Sequence, residues 1–378
     1  MNQKEISELR RRLRPERQNI THICGCYVSD NGEIISSFDQ STGLMPEDEK
    51  EKYLAILKRT LSGTLGKNLL DISFRTSQVV DSAEHRLLTA LRDTALKDEE
   101  TLMAFYQKVI GAVSMETNYV ILLARDVYDV PGKRSDGAMD NEASESTFAY
   151  LLCAVCPVKM SKPALTYVPD ESVFHNRGTD FLVSPPELGF LFPAFDDRAT
   201  NLYNALYYVR SAKENYQSFV DAVFCTEAPM PAAEQRETFE ALLGNTLEEE
   251  CSYPVIHAIQ DEFLNRIEAH KEARDPEMLT VTREDISEIL ENSGVSEEHC
   301  AAFQAKFDAE FGVDADLTPK NLIDSKHLEV KTPDVVIHVN PERGDLIETR
   351  TIGENKYILI RVDESISVNG VEIHIDTP

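Results

Sequence analysis

The sequence predicts an α+β fold in three parts: a mixed sheet-and-helix domain over 1–225, an acidic helical region over 226–327, and a small C-terminal antiparallel β element over 328–378. Three observations predict it. The first part mixes runs of helical spacing with short apolar runs rich in residues that suit strands. The stretch 227–316 carries 23 acidic and 6 basic residues, net −17, on helical spacing with capping signals. The tail then turns to short β-branched runs separated by proline and Asn-Gly turns.

Each element follows from local signals. Residues 4–14 put Ile6, Leu9 and Leu13 on one helical face, arginines elsewhere, and Pro15 ends the run. Ile20 to Val28 reads as a strand, Asp30, Asn31 and Gly32 as a turn, and Glu33 to Phe38 as the return strand of a hairpin. Pro46 with Glu47, Asp48 and Glu49 starts a helix at its positive dipole end. That helix buries Tyr53, Leu54, Leu57 and Leu61 and stops at Gly63 and Gly66. Leu69 to Phe74 is a strand. Ser82 opens a helix buried through Leu87, Leu88 and Leu91, and the next, from Asp98 to Val113, buries Leu102, Phe105, Val109 and Val113.

Tyr119 to Ala124 and Phe148 to Val155 are short strands, and the polar linker Pro131 to Ser146 is expected to be an exposed, mobile loop. Ala205 to Arg210 is a strand and Asn215 to Phe224 a helix. In the acidic third, Thr238 to Leu247 and Val255 to Lys271 have helical spacing. Thr282 to Asp285 resembles a capping box, Gly294 is the stop, and Ser296 caps a helix that buries Phe303 and Phe307 before Gly312. In the tail, Val335 to Val339, Ile347 to Thr351, Tyr357 to Val362 and Val371 to Ile375 are strands, and Asn369-Gly370 is the strongest hairpin dipeptide.

Bulk properties exclude several classes. No apolar run reaches the ~20 residues of a membrane span, and no apolar stretch follows the basic start as a secretory signal requires. Seven scattered cysteines point to reduced thiols in a cytoplasm. The net charge of −28 repels nucleic acid and anionic membrane on average. The exception is the stretch from Lys4 to Arg17, with 6 basic and 3 acidic residues.

Several constellations invite a functional reading. On a strand, His22, Cys24 and Cys26 share one face and could ligate a thiophilic metal, but that spacing lacks a fourth ligand, and small buried thiols are the simpler reading. Cys153 and Cys156 form a CxxC inside a strand, where residues three apart face opposite sides, which disfavours redox or metal chemistry. Gly63 to Asn68 has a phosphate-loop flavour, but it follows a helix, has the wrong glycine spacing, and carries Asn68 after Lys67.

Glu187 to Arg198 groups Phe190, Phe192 and Phe195 with Asp196, Asp197 and Arg198, either an aromatic pocket with a charged rim or a connector packed under the sheet. Arg10, Arg11, Arg12, Arg14 and Arg17 could meet phosphates, form a solvated face, or dock on the chain's own acidic region. No Ser-His-Asp or Cys-His constellation can be drawn.

The segments Ile20 to Val28, Leu61 to Asn68, Glu187 to Arg198, Ala228 to Gln235 and Thr332 to Val336 resemble a bacterial family, found mainly in Firmicutes and designated domain of unknown function 4317. The resemblance spans nearly the whole chain. It implies a cytoplasmic bacterial protein and no particular activity. The order of elements is also similar, at the level of fold alone, to the bacterial nucleoid-associated protein family, from which no residue is carried over.

The expected function is therefore a non-enzymatic cytoplasmic interaction protein of nucleoid-associated kind, without a cofactor. It would meet a protein partner, or DNA through its basic start, and no membrane. The alternative is an enzyme or small-ligand-binding protein with a pocket around Phe190 to Arg198.

Overall fold

The computed structural model describes residues 1–133, 139–214, 216–313, 315–325, 327–362, 366–368 and 371–373. The fold is α+β, with 39% helix and 30% strand in antiparallel sheets, as the sequence predicts. The chain divides into two compact units, residues 1–232 with 276–278, and residues 233–275 with 279–378.

The first unit contains α1 (Gln3–Arg12), β1 (His22–Val28), β2 (Ile34–Ser41), α2 (Glu47–Arg59), β3 (Leu69–Ser73), α3 (Thr76–Asp81), α4 (Ala83–Asp93), α5 (Glu99–Ala112), β4 (Tyr119–Lys133) and β5 (Met139–Met160). Next come β6 (Ala164–Val168), β7 (Val173–Arg177), β8 (Phe181–Val183), β9 (Leu188–Phe192), β10 (Ala194–Asp196), β11 (Ala199–Asn201), β12 (Asn204–Val209) and α6 (Gln217–Phe224). The main sheet runs β2-β1-β4-β5-β9-β12-β3, with β8 added to the end of β5.

Helices cover both sheet faces, and strand alternation sorts the side chains between two cores. Cys24, Cys26, Ile121, Leu123, Cys153 and Phe190 point to the side of α4, α5 and α6. Ile23, Val120, Leu122, Leu152, Ala154 and Leu206 point to the side of α1 and α2. A strand covered on both faces has no polar alternation. That is why Leu188 to Phe192, all buried, reads in sequence as a segment without periodicity.

The local signals hold. The Ser82 hydroxyl accepts from the His85 amide at the start of α4. Gly32 takes the left-handed turn between β1 and β2, with φ 81°. One expectation fails. The linker expected as a loop over 131–146 is mostly strand, because β4 and β5 pair from Tyr119/Pro157 out to Lys133/Met139, with the register shifting on either side of Pro131. Only its tip, 134–138, lies outside the described residues. The linker reads as loop because it contains Lys133-Arg134-Ser135-Asp136-Gly137 and little that could be buried, yet the ladder satisfies the backbone of its described arms. The short strands β6, β7, β8, β10 and β11 also go unmarked in the sequence reading, because each is only three to five residues long.

The second unit begins with α7 (Ala232–Leu247), α8 (Tyr253–Ala273), α9 (Arg283–Asn292), α10 (Glu297–Phe311) and α11 (Pro319–Leu322) around a core that includes Phe239, Phe263, Leu290, Phe303 and Phe307. The Thr282 capping box is present, its hydroxyl accepting from the Asp285 amide while the Asp285 carboxylate accepts from the Thr282 amide. Three antiparallel hairpins follow: β13 (Leu328–Lys331) with β14 (Val336–Val339), β15 (Ile347–Ile352) with β16 (Asn355–Ile360), and β17 (Ile366–Val368) with β18 (Val371–Ile373). The Asn369-Gly370 dipeptide between the last two lies outside the described residues.

Two glycines of the main sheet mark close approaches to a ring and to a backbone carbonyl. A methyl on Gly25 would enter the Phe38 ring laid across it, whereas a methyl on Gly189 would strike the Cys153 carbonyl oxygen, with Thr60 Cγ2 at 2.7 Å. A ring can swing away, but a carbonyl inside the sheet cannot. Gly189→Ala is therefore expected to cost about 1–3 kcal/mol in urea unfolding. Gly25→Ala, measured alongside, should cost less.

Candidate functional site

Charge docks α1 on the sheet. Asn2 caps the helix, accepting from the Lys4 and Glu5 amides, and Ile6 and Leu9 are buried beneath it. Arg12, in the last turn, donates from Nη2 to Asp126 Oδ2 at 3.2 Å and to the Val127 carbonyl at 3.1 Å. Asp126 lies on β4 with no exposed surface. It also accepts from the Asn19 amide at 2.8 Å, the Val127 amide at 2.9 Å and the Tyr150 hydroxyl at 2.7 Å. These donors use the acceptor capacity of both oxygens.

The network continues outward. The Arg12 guanidinium sits 4.1 Å from the Tyr128 ring centroid. The Tyr128 hydroxyl donates to Glu8 at 2.5 Å, and Glu8 accepts from Arg198 Nη1 at 3.2 Å. Arg198 Nη2 donates to the Pro131 carbonyl at 3.0 Å. Burial, then the bond to Glu8, pushes the Tyr128 hydroxyl up to about 12. Burial, then the neighbouring Asp126, holds Tyr150 well above the ordinary phenol range. Both remain protonated donors.

This network sorts the basic start. Arg12 belongs to the protein's own interior and Arg10 is half-buried, so of the five arginines Arg11, Arg14 and Arg17 are exposed. Arg11 also donates back to the Ser7 carbonyl at 3.1 Å.

The aromatic segment fills the cores. Phe190 and Phe192 enter the core beneath α4 to α6, Phe195 the opposite one, and none has exposed surface. Phe190 packs on Phe105 and Phe224, Phe192 on Phe74 and His85, and Phe195 on Phe148. Asp196 accepts from Asn201 Nδ2 at 2.6 Å, and Asp197 and Arg198 form the left-handed turn into β11.

The thiols are similarly placed. Cys24 and Cys26 lie in the core, where burial pushes them up to about 12 and about 11, while His22 is half-buried. Among the described residues no group of three His, Cys, Asp or Glu side chains is placed to hold a metal ion. Cys153 and Cys156 enter opposite cores, as strand geometry requires. Gly63 and Gly66 lead from α2 into β3, where Asn68 Nδ2 donates to the Val209 and Arg210 carbonyls at 3.1 Å each.

What sequence reasoning missed is an open cleft on the α2 side of the sheet. It encloses about 670 Å³ between α2, the β2-β1-β4-β5 end of the sheet and β8, and Phe38, Ile56, Leu122, Val158, Phe181 and Val183 form much of its wall. Its ionisable neighbours are Glu49, Lys52, Tyr27 and Tyr53. Lys52 pairs with Asp48 at 3.7 Å, Tyr27 accepts from Asn118 at 2.9 Å, and burial, then Glu49, pushes the Tyr53 hydroxyl up. Such a wall holds apolar matter by desolvation. The available signal was the breadth of the α2 stripe, where Ala55 and Ile56 extend the apolar arc beyond Tyr53, Leu54, Leu57 and Leu61. The second unit has its own groove of about 510 Å³, with a floor of Phe239, Leu243 and Ile259 and a rim that includes Glu240, Glu329 and His338.

Fold and site define a two-unit α+β protein with an apolar cleft on one face of its main sheet. The chain belongs to the family described as Domain of unknown function (DUF4317), whose profile matches residues 1–371. A search of curated proteins finds no match. Among the described residues no helix is long and apolar enough to cross a membrane.

Removing Arg12 leaves the Asp126 charge buried without its cation. Arg12→Ala should cost about 3–5 kcal/mol by urea unfolding, and Tyr150→Phe about 1–3 kcal/mol. Thiol titration of the native protein should find Cys225, the exposed cysteine, reacting first and the half-buried Cys251 more slowly. The five buried thiols should react only on unfolding.

Proposed function

We propose that this is a non-enzymatic, cytoplasmic interaction protein that holds an apolar segment of a protein partner in the cleft beside α2. The observation that carries the reading is the cleft itself: about 670 Å³, open, and walled mainly by aliphatic and aromatic side chains. The polar groups of the first unit that could suggest catalysis are engaged elsewhere. Asp126, Arg12, Tyr150 and Glu8 close on one another. Free thiols at all seven cysteines, five of them buried, suit a reducing compartment.

A nucleoid-associated role is the second reading, favoured by the exposed Arg11, Arg14 and Arg17 in a chain of net charge −28. DNA contact there would be local and would weaken steeply with salt.

The deciding experiment is a pull-down of the tagged full chain from its own lysate, with and without nuclease, alongside Ile56→Glu. A protein partner that survives nuclease and is lost with Ile56→Glu is the expected result. Recovery that vanishes with nuclease moves the function to the arginines. A partner retained by Ile56→Glu removes the cleft from the reading.

A further inference from the structure

The chain between β5 and β9 forms an arm with an uncovered amphipathic face. Among the described residues strands β6 and β7 pair only with each other, with Leu165 opposite Asn176, Thr166 opposite His175, and Tyr167 opposite Phe174. Directly opposed residues of an antiparallel pair share a face, and successive residues alternate. Leu165, Tyr167, Phe174 and Asn176 therefore stand on one side, and Ala164, Thr166, Val168, Val173, His175 and Arg177 on the other. The Tyr167 and Phe174 rings touch at 5.2 Å. Leu165 is 71% exposed and Phe174 62%. A lone two-stranded hairpin is marginal in water unless something packs on it.

Charge runs along this arm in opposite senses at its two ends. The base carries Lys159 and Lys162, both exposed and without an ion pair among the described residues, while Arg177 is matched by Asp180 at 2.7 Å. The tip carries Asp170 and Glu171, the latter beside His175 at 2.6 Å. Two such arms laid face to face about a two-fold axis, antiparallel, put the acidic tip of each over the basic base of the other. A foreign partner would need to supply both the apolar face and the reversed charge gradient, whereas a second copy supplies both by symmetry.

Leu165, Tyr167 and Phe174 are between 48% and 71% exposed. At roughly 100 Å² each they offer about 300 Å² per protomer as the apolar centre of a small contact that the charged ends extend. We infer that the protein self-associates as a two-fold dimer through this arm, with Leu165, Tyr167 and Phe174 at the centre of the contact. The dimer is separate from the α2 cleft and does not depend on how the cleft is used.

Sedimentation equilibrium of the full chain tests it. At about 50 µM the expected mass is twice that of one chain, and Phe174→Asp should return it to one chain with an unchanged far-UV circular dichroism spectrum. Lys162→Glu should weaken self-association about tenfold, and adding Glu171→Lys should restore it. Ile56→Glu, which alters only the cleft, should leave the dimer intact. A single-chain mass at that concentration, or a dimer that persists in Phe174→Asp or dissociates in Ile56→Glu, would overturn the arm-to-arm contact.

Discussion

The buried carboxylate of Asp126 constrains the first unit more than any other single group. An ionised acid away from water is tolerable only when its lone pairs are filled and a cation stands beside it. Both conditions are met by distant parts of the chain: Arg12 from α1, the amide of Asn19 from the segment after it, and Tyr150 from the neighbouring strand. Satisfying one group therefore fixes the register of α1 against β4 and β5. The same demand extends through Tyr128, Glu8 and Arg198 to the turn between β10 and β11. The arginines of the basic start consequently have unlike roles, some anchoring the helix and others facing solvent.

The antiparallel sheet sets the second constraint. Helices cover both of its faces, so its central strands must be apolar on both sides, and small thiols are acceptable there because they pack as hydrophobes. This explains how Cys24, Cys26, Cys153 and Cys156 pack within the cores. It also explains the cleft. Helix α2 buries Leu54 and Leu57 but leaves Ile56 only partly covered, and the sheet continues past it toward β8. The open space is the part of a two-layer contact that one helix is too narrow to fill.

How much of this was legible depends on the range of the interaction. Caps and stops were legible because their partners lie within four residues, as at Ser82 with His85, Thr282 with Asp285, and the turn at Gly32. The opposite facing of Cys153 and Cys156 was legible because strand geometry alone dictates it. The length of β4 and β5 was not, since the polar linker over 131–146 carries no strand signal and its described arms become strand only by pairing with each other. The three phenylalanines of β9 and β10 could be read as a pocket or a core with equal chemistry, and only tertiary burial decides. The cleft had a faint local trace in the broad α2 stripe. Its other wall, at β8, comes from a three-residue strand with no signature of its own.

The strand order has a consequence for synthesis on the ribosome. Strands β1 and β2 can pair as soon as they emerge, and β4 and β5 form the next local hairpin. Strand β3, at Leu69–Ser73, has its ladder partner only at Asn204–Val209. An apolar strand made early must wait through most of the unit's translation before its edge is closed. Contacts of such sequence separation are slow to form and leave the nascent chain open to mispairing. The helices made in the interval, α4 and α5, bring Leu88, Leu91 and Phe105 to the core that Leu70 and Ile72 of β3 finally enter. The early strand's eventual neighbours on that face are thus largely in hand before its hydrogen-bonding partner has left the tunnel.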